Sequence, residues 1–263
     1  MKRINRASRK RFATEALHII LNVALAVAVF ALIQVGGRIE AALALVLISK
    51  WRIFAVRPRF WKANLQSNIV DITVSVGIVI LMHMASTATD MTLWLQVGLA
   101  VLYALWLIVI KPRSSQRWAT VQATTGLFIG VWVLAAVAHT MPLWLVTILY
   151  YIVGYGAARH ILSSYEEKQL SLLSMAFGLL VAEIGWVASH WTVAYGVSQM
   201  ADIKIPQLAI VVVLGGLVAY RAYVAYAQKK ALRSPDVVIP AVFAVALIVI
   251  LFAFFTTVGR GII

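Results

Sequence analysis

The sequence predicts an all-α membrane protein: a polytopic transmembrane helical bundle of about nine spans, with the N-terminus in and the C-terminus out. Three observations predict it. Of 263 residues, 63% are hydrophobic and only 12% charged, about half the charged fraction of an ordinary soluble domain. Apolar runs recur along the whole chain, each close to the ~20 residues a helix needs to cross a bilayer. Lys and Arg collect in alternate connections, as they do in cytoplasmic loops.

The same figures exclude an ordinary soluble enzyme, a disordered chain and a disulfide scaffold. The absence of cysteine removes disulfides, Cys-ligated zinc, iron–sulfur clusters and thiol nucleophiles. The net charge of +14, from 23 Lys+Arg against 9 Asp+Glu, is read as membrane orientation and not as a nucleic-acid surface. The expected partners are the lipid bilayer and, at the basic inner loops, anionic lipid headgroups. Other membrane subunits are compatible with this reading, and no cofactor is expected.

Met1 to Phe12 carries Lys2, Arg3, Arg6, Arg9, Lys10 and Arg11 and reads as a basic cytoplasmic segment. The span Leu17–Val35 follows. It is too long for a cleaved signal core and lacks a convincing small-x-small site at its end, so an uncleaved first helix is expected. The second span, Ile39–Val56, is the weakest, because Lys50 and Arg52 fall in its last turns; they are expected to snorkel to the interface. The remaining spans are Ser67–Ala85, Met91–Ile110, Trp118–Ala138, Leu143–Leu162, Leu170–Tyr195, Ile205–Gln228 and Val237–Val258.

This layout puts 19 basic residues on the inner side and three, Arg38, Lys204 and Arg260, on the outer side. Deleting the second span would invert every later loop and destroy the bias, so parity supports it. The connections are too short to fold as separate domains, and residues 1–263 read as one integral membrane domain. Ser234-Pro235-Asp236 has the cap, first-turn proline and acid of a helix start. Pro142, Pro206 and Pro240 also fall near starts. With no proline in mid-span, proline-broken helices have no support. A bacterial-type cytoplasmic membrane is the expected location.

Ionisable groups inside a bilayer are expensive and usually face the bundle interior. Glu183 is the deepest acid, and Trp186 and His190 follow on the same helical face. Ser174, Gly178 and Ala182 form a small-residue stripe on that helix, suited to close packing. Asn64, Asn68, Asp71 and Ser75 fall on one stripe of the third span, a polar seam entering from the inner side. Arg221 lies inside the eighth span at a depth similar to Asp71, which suggests an Asp71–Arg221 ion pair. Gly126-x-x-x-Gly130 reads as a helix-packing motif. No two of the five histidines stand at metal-ligand spacing on one helix.

No nucleotide-binding loop, zinc-protease motif, mid-span lysine or arginine ladder is present. Two function classes remain. One is a small transporter or permease component, with Glu183 as its intramembrane carboxylate, His190 and Trp186 beside it, and the Asn64–Ser75 stripe as an inner path. The other is a structural or assembly subunit of a membrane complex. A membrane-embedded lipid-modifying enzyme is weaker, because no catalytic constellation is visible.

Overall fold

In the computed structural model each apolar run becomes a helix. Backbone is described for residues 2–85, 92–190, 194–197, 200–228 and 234–254. Among these residues nine α-helices occur in the predicted order: α1 Lys2–Gly36, α2 Ile39–Ser49, α3 Trp61–Ala85, α4 Thr92–Leu105, α5 Gln116–Val137, α6 Leu143–Ser164, α7 Leu170–Ala188, α8 Gln207–Ala227 and α9 Pro235–Phe254. Eight are long and apolar enough to cross a membrane. The chain is therefore a multi-pass membrane protein. The end carrying the Lys- and Arg-rich connections is called inner below. Met91, the basic residues Lys229, Lys230 and Arg233, residues 255–258 and Arg260 lie outside the described residues.

The exception is α2. Its 11 residues rise only about 17 Å, short of the ~30 Å hydrocarbon core. The helix expected to reach Val56 stops at Ser49. The chain then descends through 3-10 turns at Trp51–Ile53 and Pro58–Phe60. No proline breaks it. Lys50 breaks it, by turning into the bundle at the helix C-terminus, where the negative end of the helix dipole favours a cation. Non-helical backbone at membrane depth must find partners within the protein, and here it does. Trp61 Nε1 donates to the carbonyls of Phe54 (3.1 Å) and Val56 (3.0 Å), and Asn64 Nδ2 donates to that of Ile53 (3.4 Å).

The seventh span is also shorter than expected. It ends at Ala188 and not at Tyr195, and an antiparallel hairpin follows, β1 Ala194–Val197 with β2 Met200–Pro206. The alternation of Ile203, Lys204 and Ile205 suits a strand better than a helix end. Trp132 Nε1 on α5 donates to the Lys204 carbonyl at 2.9 Å, tying the hairpin to the bundle. In α9, Pro240 lies inside the helix and not at its start.

Two apolar cores result. One joins α1 to α4 through Val29, Val46, Val74, Met82, Tyr103 and Leu107. The other joins α5 to α8 through Leu127, Val131, Tyr150, Val181 and Val212. Helix α3 packs against both groups. Glycines set the close crossings. A Cβ on Gly154 would sit 2.7 Å from Val181 Cβ, and one on Gly126 would sit 2.9 Å from Val70 Cγ1. The Gly126/Gly130 pair therefore packs as predicted, against α3 and, at Gly130, also against Val153 of α6. The face of α7 carrying Gly178 and Gly185 lies on Tyr151 and Tyr150 of α6.

Candidate functional site

Two polar centres occupy opposite halves of the bundle. The inner one is built on Asp71. It stands ten residues into α3, about 15 Å from the helix start. Lys50 Nζ lies 2.5 Å from Asp71 Oδ2 and Lys111 Nζ lies 2.8 Å from the same oxygen. Lys50 also donates to Ser75 Oγ at 3.0 Å, and Trp106 Nε1 donates to Asp71 Oδ1 at 3.2 Å. Lys50 and Asp71 are 7% and 8% exposed, and Ser75 is fully buried. The Tyr103 hydroxyl is buried near Ser75 but reaches no partner with full hydrogen-bond geometry.

A local irregularity makes this cluster. Residues Trp106–Ile110 form a π-helical turn, closed by Lys111 N–H to the Trp106 carbonyl at 2.8 Å. An α-helix sets residues five apart on nearly opposite sides; the wider π turn brings Trp106 and Lys111 to one side, where both reach Asp71. Gln122 on α5 holds the turn. Its Nε2 donates to the carbonyls of Ile110 (2.6 Å) and Arg113 (2.8 Å). Its Oε1 accepts from His160 Nε2 at 2.6 Å, which assigns the ring proton to that nitrogen because an amide oxygen only accepts.

The predicted Asp71–Arg221 pair is corrected accordingly. Lys50 and Lys111 take the carboxylate, while Arg221 is exposed on α8, which packs on α5 and α9. Lys50 does not snorkel outward. Along the Asn64–Ser75 stripe each polar side chain has a protein partner: Asn64 donates to the Ile53 carbonyl, Asn68 to the Asn64 carbonyl (2.8 Å), and Asp71 and Ser75 accept from Lys50. What these residues do is clamp α2, α3 and α4 together around a broken helix.

The outer centre is a cavity of about 320 Å³ between α5, α6, α7, α8 and α9, reached by Glu183, Tyr150, Gln207 and Phe252. Glu183 sits five residues from the end of α7, about 8 Å from the outer helix end. It forms no ion pair or hydrogen bond with any described residue. Gln207, at the first position of α8, is 5% exposed, yet its Nε2 has no partner. Buried amides are normally satisfied, and an orphan needs an explanation. Besides the carboxylate and the amide, the lining is polar only at Tyr150 and Ser189, and the Ser189 hydroxyl already donates to the Trp186 carbonyl at 2.7 Å.

Trp186 and His190 do not line this cavity. Their rings lie 4.9 Å apart, edge to face, on the exposed side of α7, and His190 Nδ1 bonds the Trp186 carbonyl at 2.9 Å. The sequence singled out Glu183, which borders the cavity, but gave no such role to Gln207, Lys50, Lys111 or Trp106. Lys50 had a signal, as a cation inside an apolar run. Gln207 had none, because a glutamine at a helix start is ordinary. Among the described residues no group of three or more His, Cys, Asp or Glu could hold a metal. No family model, curated protein or solved structure matches the chain.

Proposed function

We propose that the protein is a small transporter or permease component that admits a small cation, such as a protonated amine, to the outer cavity, with Glu183 as the carboxylate that meets it. The observation that carries this reading is the Glu183–Gln207 cavity: an exposed acid and a buried amide nitrogen, neither with a partner among the described residues, border the same 320 Å³ space. The ammonium of even the smallest amine satisfies Glu183, and a larger amine with a neighbouring hydrogen-bond acceptor also satisfies Gln207 Nε2. An intramembrane acid that serves only packing would be expected to bond a neighbouring helix. Asp71 does so, and Glu183 does not.

The test uses the full chain in liposomes, with methylammonium as the probe. The proposal expects a saturable current on a methylammonium jump, absent in Glu183→Gln, with both proteins monodisperse and equally helical. Current equal to that of empty liposomes overturns it. So does Glu183→Gln transport equal to wild type. The assembly-subunit reading expects this second result, since only helix contacts would matter to it.

A further inference from the structure

A second cavity, of about 190 Å³, lies at the inner end of the bundle between α5, α6, α7 and α8. It is separate from the outer cavity and plays no part in the transport reading. Its walls are almost wholly apolar, with Leu127, Phe177 and Gly216 at mid-membrane depth and Thr120, Tyr220 and Tyr223 toward the inner face. Gly216 keeps the deep end narrow but open: a Cβ there would lie 3.2 Å from Leu127 and 3.6 Å from Phe177. From Gly216 to Tyr223 the helix rises about 10 Å, so the crevice runs along the bilayer normal, as a lipid chain does.

The polar mouth is ordered. Tyr165 and Tyr220 share a hydroxyl–hydroxyl bond at 3.1 Å, and Tyr223 donates to Glu167 at 2.8 Å. Arg221 follows Tyr220 and stands one helical turn from Leu217, which also lines the crevice. It sits six residues inside the end of α8, is exposed, and has no ion pair among the described residues. A cation at that depth needs an anion or an interface within reach of its side chain. Glu167 is already held by Tyr223, so Arg221, without an ion pair among the described residues, is the cation that calls for an anionic partner, while the crevice walls call for an apolar one.

We infer that this crevice is a binding site for one anionic phospholipid of the inner leaflet, with an acyl chain between α5, α6, α7 and α8 and its phosphate on Arg221. Charge complementarity selects an anionic headgroup over a zwitterionic one, and the apolar walls select a lipid over a free phosphate ion.

The experiment is native mass spectrometry of the detergent-solubilised full chain titrated with phosphatidylglycerol or phosphatidylethanolamine. Two variants separate head from tail: Arg221→Gln, and Ala158→Leu, which fills the crevice wall. Wild type is expected to retain one phosphatidylglycerol at least tenfold better than phosphatidylethanolamine. Arg221→Gln should erase that preference, and Ala158→Leu should weaken both lipids. Equal retention of the two lipids by wild type overturns the proposal, as does retention unchanged in both variants. Complete displacement by millimolar inorganic phosphate also overturns it, because the site would then read an ion and not a lipid. Helix content measured in parallel identifies a misfolded Ala158→Leu, in which case Arg221→Gln alone decides.

Discussion

Asp71 and Glu183, the two acids within the apolar helices α3 and α7, differ in burial and in partners: Asp71 is buried and Glu183 is exposed. Asp71 has every oxygen engaged, by two lysines and an indole. Glu183 has none engaged and borders a cavity shared with an orphaned amide. Sequence depth ranks Glu183 as the more costly group, but the helix ends reverse that order: Asp71 stands about 15 Å inside α3, and Glu183 only about 8 Å from the outer end of α7. The lesson is that depth marks which residues need an explanation, while partner satisfaction decides which explanation applies. A satisfied acid fixes helices; an unsatisfied one at a cavity leaves room for a guest.

The largest effect should come from breaking the satisfied centre. Asp71→Leu leaves Lys50 buried without its counter-ion and should lower stability by about 3–5 kcal/mol, seen as a large fall in melting temperature in detergent. Pairing it with Lys50→Met should restore most of the loss, since replacing a buried pair by apolar groups is often near neutral. A double variant as unstable as the single would show that the pair is not what holds α2 to α3.

Next comes the geometry of close crossing. Gly154→Leu must push against Val181 and the Gly178 backbone and should cost about 1–3 kcal/mol by overpacking. Gln122→Leu, which strips the π turn of its amide donors, should cost about 1–3 kcal/mol and lower thermal stability without changing methylammonium current. If Gln122→Leu abolished current at full stability, the inner centre would be functional and the contrast would fail.

The smallest effect is at the surface. Backbone N–H donation from Gln169, helped by the Tyr223 hydroxyl, holds the Glu167 carboxyl below its ordinary value. A depressed carboxyl contributes its stability above the unfolded-state value and loses it as pH falls through the folded value. Protection of the Gln169 amide, taken relative to its intrinsic exchange rate, should therefore fall on acidification below the ordinary glutamate range, and in a Glu167→Gln chain it should not change.

Most of the helical frame was legible from hydropathy, and the loop-by-loop charge bias predicted a crossing at α2, whose 11-residue helix is too short to span the bilayer. That bias counts crossings and says nothing of how regular each one is. Lys50 was visible as an anomaly, but sequence cannot distinguish a side chain that snorkels out from one that turns in, because the choice depends on what α3 offers opposite. The π turn that unites Trp106 with Lys111 leaves no periodic trace in five apolar residues. Glu183 stood out in the sequence because an acid in an apolar run is rare. Gln207, 24 positions later in the chain, meets it only through the packing of α7 and α8 around the cavity. Trp186 and His190 shared its helical face by angle, yet the neighbouring helices cover only one edge of that face.

The absence of native cysteine allows the central contrast to be read in one measurement, the rate at which a membrane-impermeant, cationic thiol reagent modifies single cysteines in intact liposomes. Glu183→Cys should react readily, because its side chain borders an open cavity, whereas Ser75→Cys, sealed beneath Lys50, should stay unmodified until the protein is denatured. Equal protection of both positions, or faster labelling at position 75, would contradict the account.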